Sequence, residues 1–294
     1  RQTCEWIDIE SVHQLPTHTI PSHRVPDDPA KDEDVKKLYD LLATGETTGI
    51  FQVEGAGMRR TLRDMRPERF QHIIAVLALY RPGPMDNIPA YIRRMHGEEE
   101  VEYHHPILAD ILEETYGIIV YQEQIMQIAV AMADYNPGRA DRIRKAVAKK
   151  KKKLMNMHQT MFLEGATKKG IDREVAEKVW GDIEFFARYG FNRAHATDYA
   201  VITAQTAYLK AHYPLEFMTG LMTTEQHNTE KLGTLITDAR RNDLEVERPC
   251  INRSDVEFTI EHREDPGEGE DERFTRIGLG AIKNVSDGAM ALIV

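Results

Sequence analysis

Cysteine is almost absent: the 294 residues hold two, Cys4 and Cys250. They make neither a disulfide framework nor a CxxC pair, so isolated buried thiols in a reducing compartment are expected. Long apolar runs are missing too. None approaches the roughly 20 residues that a membrane-spanning helix requires, and Arg1–Glu10 lacks the charged-then-apolar order of a signal peptide. A cytoplasmic location without a membrane partner is therefore expected. Basic charge is in deficit, with 38 Lys and Arg against 48 Asp and Glu, a formal net charge of −10. That balance argues against a protein that grips nucleic acid over its whole surface, because phosphates repel carboxylates. Wholesale disorder is excluded, since 41% of residues are hydrophobic and supply a core. The chain begins without Met and reads as a piece of something longer.

Several chemical signatures are also lacking. Phe51-Gln-Val-Glu-Gly-Ala-Gly57 is glycine-rich but fits neither GxGxxG nor GxxxxGK[ST], so no mononucleotide loop follows. Two-metal phosphoryl transfer needs carboxylates held rigidly together. The only Asp-x-Asp is Asp32-Glu33-Asp34, in a polar helix start where acids complement the helix dipole. Glu98–Glu102 and Glu261–Glu272 lie in polar, Gly-bearing stretches that would not fix a metal pair. Glu102 with His104 and His105 suggests no further ligand, and the three read as polar side chains facing water.

What is present is helical periodicity. Residues 1–30 hold Pro16, Pro21, Pro26 and Pro29 and read as an extended connector, with His13, His18 and His23 as solvated loop residues. From 31 to 245 helix follows helix. Val35, Leu38, Leu41 and Leu42 share a face; so do Phe70, Ile73, Ile74 and Leu77, ended by Pro82-Gly83-Pro84. Further stripes are Ile125, Ile128, Ala129 and Met132, then Leu154, Met157, Met161 and Phe162, then Val175, Val179, Trp180 and Ile183 behind a capping Asp172. Gly117–Tyr121 reads as a strand or as the approach to a helix. One helix is expected from about Ala196 to Tyr213 and another behind a capping Thr229. In 246–294 the period drops to 2: Val256, Phe258 and Ile260 alternate, and Phe274–Ile277 can return as the partner strand. The expected fold class is mainly α, a multi-helix body with a small α/β C-terminal part.

The charge is unevenly spread. Arg139–Lys153 holds nine basic residues against the single acid Asp141, a local net of +8. Ile143 and Val147 give the same helix an apolar side to dock, so this is a phosphate-binding surface or a solvated charged face. Tyr189-Gly-Phe-Asn-Arg-Ala-His195 ends one helix and opens the next. Asn192, Arg193 and His195 there make an anion site at a helix N-terminus, or Asn192 merely caps and His195 packs inside. In Leu79-Tyr-Arg-Pro-Gly-Pro-Met85 the prolines hold Arg81 rigid, for bidentate phosphate recognition or for a carboxylate such as Glu54 or Asp86.

Seven motifs, taken in order, resemble the fingers region of the C-family replicative polymerases of bacteria, the DNA polymerase III alpha subunits. They are Gly49-Ile-Phe-Gln-Val-Glu54 with Gly57-Met58, Ala78-Leu-Tyr-Arg-Pro-Gly-Pro84, Tyr116-Gly-Ile-Ile-Val-Tyr-Gln-Glu-Gln-Ile-Met126, Arg144-Lys-Ala-Val-Ala-Lys-Lys-Lys151, Tyr189–His195, Leu209-Lys-Ala-His-Tyr-Pro214 and Gly278-Leu-Gly-Ala-Ile-Lys283. The resemblance implies a helical fingers domain over 31–245, its small α/β continuation over 246–294, and a connector from a palm over 1–30. It implies that Arg144, Lys145 and His195, with Arg193 nearby and Arg81 ranked lower, face the triphosphate of an incoming dNTP. Lys149, Lys150, Lys151 and Asn192 would touch phosphate or nucleic-acid backbone.

The same resemblance places the catalytic aspartates and their Mg2+ in the palm, so that no metal is held here and this chain alone is inactive. Primer-template DNA, the palm and thumb, and a sliding clamp and other replisome subunits reached through other regions are the implied partners. Two features depart from the family pattern. Arg144-Lys145 stands where Arg-Arg is common, and lysine cannot make a forked contact. The lysine run also continues to Lys153. The alternative from another class is a non-catalytic helical module that binds nucleic-acid backbone through its basic strip.

Overall fold

The computed structural model describes residues 33–148, 152–187, 189–267, 272–284 and 287–290. The expected connector, its histidines, Cys4 and Lys149, Lys150 and Lys151 lie outside the described residues. Among the described residues, twelve α-helices of varied length precede the strands: α1 Glu33–Thr44, α2 Ala56–Met65, α3 Phe70–Leu79, α4 Ile88–Met95, α5 Ala109–Leu112, α6 Gln122–Ala133, α7 Pro137–Ala148, α8 Lys152–Lys168, α9 Arg173–Ala187, α10 Arg193–His212, α11 Pro214–Thr224 and α12 Thr229–Arg241. Strands β1 Val246–Glu247, β2 Thr259–His262 and β3 Arg273–Arg276 and helix α13 Asp287–Met290 complete the described chain. The mainly α class with a small α/β end is what forms.

The chain divides into two compact units, Pro67–Ile202 and the pair of segments Arg1–Arg66 and Thr203–Val294. In the first, α6, α7, α8 and α9 pack against one another. Trp180 and Phe162 are buried in this bundle with ring centres 5.4 Å apart. Gly165 permits the closest approach: a Cβ there would stand 2.3 Å from the carbonyl oxygen of Ala133. Helix α3 is buried nearly all round, which suits its almost uninterrupted apolar sequence. Its His72 is buried; Nδ1 accepts from the Glu68 N–H at 3.2 Å and Nε2 pairs with the Tyr116 hydroxyl at 2.9 Å.

In the second unit, α11 and α12 bury Met218, Met222, Leu232, Leu235 and Ala239 with Val246 and Phe258. The sheet order is β1-β3-β2, with β3 parallel to β1 and antiparallel to β2, Ile260 facing Thr275 in register. Residues 46–54 are tied down tightly. The Lys210 ammonium, 6% exposed, donates to the Glu46 and Thr48 carbonyls at 2.9 Å each and lies 3.7 Å from Asp238. Thr203 and Thr206, on the same face of α10 at i and i+3, bond the carbonyl and N–H of Phe51 at 3.1 Å.

Some local expectations shift. Asp172 caps α9 as expected, its Oδ1 accepting from the N–H groups of Glu174 and Val175. The cap of α12 is Asn228 rather than Thr229, because its Oδ1 reaches the Lys231 N–H at 3.1 Å. Helix α10 starts at Arg193, earlier than Ala196, since Asn192 accepts the His195 N–H at 2.9 Å and so supplies the cap three residues upstream. Gly117–Tyr121 is neither a named strand nor a helix; Tyr121 makes an isolated parallel bridge to Phe191. Strand β2 begins at Thr259 and excludes Val256.

Candidate functional site

Three of the sequence motifs converge within the unit Pro67–Ile202. Helix α3 stops at Leu79, where Arg81-Pro82-Gly83-Pro84 turns the chain with Gly83 at φ 101°. A Cβ on Gly83 would stand 2.6 Å from the Tyr189 ring, so this turn sits directly on the start of the second motif. The second motif is joined to the third by the bridge at Phe191. The Gln122 N–H donates to the Phe191 carbonyl at 2.9 Å, the Phe191 N–H to the Val120 carbonyl at 3.2 Å, and the Gln122 side chain to the Gly190 carbonyl at 3.0 Å. As a result the starts of α6 and α10 lie side by side.

Arg81 is anchored inside this arrangement. Its Nε donates to the Ala78 carbonyl and its Nη2 to the Tyr189 carbonyl, each at 2.9 Å, and its guanidinium lies 4.2 Å from the centre of the Phe191 ring. Burial pulls its pKa below the ordinary arginine value. Backbone carbonyls take the donors that a carboxylate was expected to take, and Asp86 is not its partner. Glu54 instead accepts from the Gly49 N–H at 2.6 Å.

His195 is exposed rather than packed in the core. Its ring lies between Phe191 and Tyr199, at 5.5 and 4.3 Å between centres. Asn192 spends its carbonyl on the helix cap and turns its amide nitrogen to Glu123 Oε1 at 3.1 Å. The Arg193 N–H donates to Glu123 Oε2 at 3.0 Å, and Arg193 Nη2 reaches both oxygens of Glu114 at 2.9 and 2.7 Å. The two acids, which sequence reasoning missed, therefore stand at the start of α10 where a free anion site was expected. The only sequence signal for Glu123 is its place in Tyr116–Met126. It also lines an open groove of about 520 Å³ shared with Met126, Val130, Pro137 and Ala140.

The basic helix α7 packs on α6 and buries Ala140, Ile143 and Ala146. Arg144 and Lys145 point away from that core. Asp141 accepts from both, at 2.6 Å from Arg144 Nη2 and 2.6 Å from Lys145 Nζ. These two cations hold the Asp141 carboxyl below the usual carboxylate range. Arg144 is 34% exposed and Lys145 62% exposed, so both can take up a solvent-borne anion. Among the described residues no hydrogen bond or ion pair links them to His195 or Arg193. No three His, Cys, Asp or Glu side chains among the described residues could hold a metal ion together. His104 pairs with Asp182 at 3.1 Å, and His105 accepts from the Ile107 N–H at 3.2 Å. No helix of the described residues is long and apolar enough to cross a membrane.

This mainly α module, with its cationic helix and its Asn-Arg-x-His helix start, is similar to one known class of protein. The family described as the bacterial DNA polymerase III alpha subunit finger domain matches residues 20–170, and the chain belongs to it. A helix-hairpin-helix motif matches residues 243–294. The chain is 45% identical over 266 residues to the DNA polymerase III subunit alpha of Thermus aquaticus, covering 89% of this chain and 21% of that protein. It is 46% identical over 254 residues to that of Bacillus subtilis, covering 86% and 22%, and 46% identical over 263 residues to that of Aquifex aeolicus, covering 89% and 22%. The chain thus spans about a fifth of the length of these relatives.

Proposed function

We propose that this chain is the fingers portion of a replicative DNA-directed DNA polymerase and binds the triphosphate of the incoming dNTP. The observation that carries this reading is the Arg144–Lys145 pair, half-buried and exposed respectively, in the family-matched residues, held by one shared carboxylate on a helix docked through Ile143. A triphosphate offers more charge than Asp141 and can take over both cations. His195, fixed between two aromatic rings, supplies a further donor, with Arg193 and Asn192 beside it and the lysines at 149–151 on template backbone. Arg81 positions the Tyr189–His195 turn.

Mg2+ and the carboxylates that bind it would belong to the palm; the chain contributes positioning and charge neutralisation. The rest of the polymerase and the primer-template would be its partners, in the cytoplasm. Incubated alone with primed template, dNTPs and Mg2+, this chain gives no extension; templated synthesis would overturn the reading. In the longer polymerase, Arg144→Ala and His195→Ala each lower kcat/KM for dNTP by about 10²-fold, as removal of an oxyanion donor does. His195→Ala costs more in turnover than in DNA binding; an unchanged rate with lost DNA affinity would give His195 a template role.

One observation favours a second reading, a non-catalytic module on nucleic-acid backbone: the helix-hairpin-helix match over 243–294. That reading expects the chain alone to bind duplex or single-stranded DNA with a steep salt slope. The polymerase reading expects weak binding until the palm is present.

A further inference from the structure

The first donors of α10 are already engaged by acid from the chain itself. Glu123 takes the Arg193 N–H at 3.0 Å and the Asn192 amide at 3.1 Å. Glu114 takes the Arg193 guanidinium at 2.7 Å. The Arg193 N–H is the kind of donor that phosphate uses at a helix start, and the Asn192 amide and Arg193 guanidinium stand beside it. Resting on the nucleotide reading above, we infer that Glu123 is a displaceable carboxylate that competes with the nucleotide's phosphate for the start of α10 and thereby sets nucleotide affinity.

Three observations carry this. First, the Asn192 side chain is committed at both ends: its oxygen caps the His195 N–H, so its nitrogen must face the acid. Glu123 therefore closes a prepared pair of donors rather than meeting one by chance. Second, displacement is cheap. Glu123 lies in the first turn of α6, whose own positive end continues to favour the charge, and it lines the open groove beside Met126 and Pro137, where water can solvate it. Third, the Arg193–Glu114 pair is open to solvent, at 45% and 32% exposure, so exchanging one anion for another costs little. A triphosphate brings more negative charge than a carboxylate to the same donors and wins the exchange. The bridge between Tyr121 and Phe191 brings donors and competitor together, because it sets the starts of α6 and α10 side by side.

The test is nucleotide affinity in the longer polymerase bound to primed template, measured by titrating dNTP under single-turnover conditions. Glu123→Gln keeps the shape and one acceptor but removes the charge. It is expected to tighten dNTP binding by about three- to tenfold, the range a single net hydrogen bond commands. Glu114→Gln, on an exposed pair, is expected to shift affinity in the same direction by less. Unchanged or weaker binding by Glu123→Gln, with folding intact by circular dichroism, would overturn the inference and leave Glu123 as a staple between two helices. If Glu123→Gln does not fold, Glu123→Asp, which withdraws the carboxylate by one methylene, takes its place in the titration; tighter binding is expected, and unchanged or weaker binding overturns the inference. Arg144→Ala in the same titration separates the two levels. Weaker binding by that variant with no gain from the Glu variants refutes only this inference; no effect from Arg144→Ala refutes the nucleotide reading.

Discussion

The guanidinium of Arg81 lies 4.2 Å from the centre of the Phe191 ring while its Nη2 donates to the carbonyl of Tyr189, 108 residues along the chain. One side chain thus fixes the turn after α3 against the turn before α10. Planarity matters here: a guanidinium can stack on a ring and donate in its own plane at once, and an ammonium cannot. Arg81→Lys is expected to lower unfolding free energy by about 1–2 kcal/mol, through a lost charge-assisted bond and a lost stack. Urea unfolding of the chain measures it; no loss would mean that the carbonyls find water equally well.

Gly83 meets the same turn from the other side. At φ 101° with the Tyr189 ring 2.6 Å from an added Cβ, alanine meets both backbone strain and a clash. Gly83→Ala is expected to cost about 1–3 kcal/mol, and Gly83→Ala in a Tyr189→Ala background less, because the clash is gone. A double-mutant cycle by chemical denaturation reads the difference.

His72 predicts an acid sensitivity. Burial, with Arg69 and His96 nearby, lowers its pKa from 6.5 to about 4. The neutral ring is the form that accepts from the Glu68 N–H. Because the unfolded chain binds the proton more readily, the contribution is complete above pH 6.5 and is lost as pH falls toward 4. The integrated loss is about 3 kcal/mol. His72→Gln retains an acceptor but does not titrate, so its urea midpoint should fall less than the parent's between pH 6.5 and 4; parallel curves would refute the assignment.

Lys210 ties residues 46–54 through the Glu46 and Thr48 carbonyls. Burial lowers its pKa, and the nearby Asp238 carboxylate works against that shift. Lys210→Ala leaves two carbonyls and a buried carboxylate without the ammonium, and should cost about 3–5 kcal/mol. Hydrogen exchange of the Phe51 and Val53 amides should accelerate in this variant; protection equal to the parent's would mean that Thr203 and Thr206 suffice.

The mainly α class, the stops at Gly45 and Gly170, the Asp172 cap and the pairing of the two C-terminal strands were legible because each rests on residues close in sequence. Period, cap and breaker act within a turn or two. The candidate phosphate residues were legible as motifs; Lys145, Arg193 and His195 stand exposed on helices and Arg144 is half-buried. Their partners were not legible. Asp141 is three and four residues from its cations and belongs to the same helix turn, but Glu114 and Glu123 lie 79 and 70 residues from Arg193. No local pattern marks an acid in one helix as the counter-charge of another helix's start.

Arg81 illustrates the same division. The prolines around it determined that the arginine would be held rigid, since proline restricts its own φ and its neighbour's freedom. Only the tertiary structure decided what it holds, because the bridge between Tyr121 and Phe191 carries the Tyr189 carbonyl and the Phe191 ring to within its reach. Sequence by itself determined which segments are helical, where positive charge concentrates and which family the motifs resemble. Packing decided which donors are spent, since a hydrogen bond or ion pair depends on distance in space, and the chain's local preferences do not encode distances across seventy or more residues.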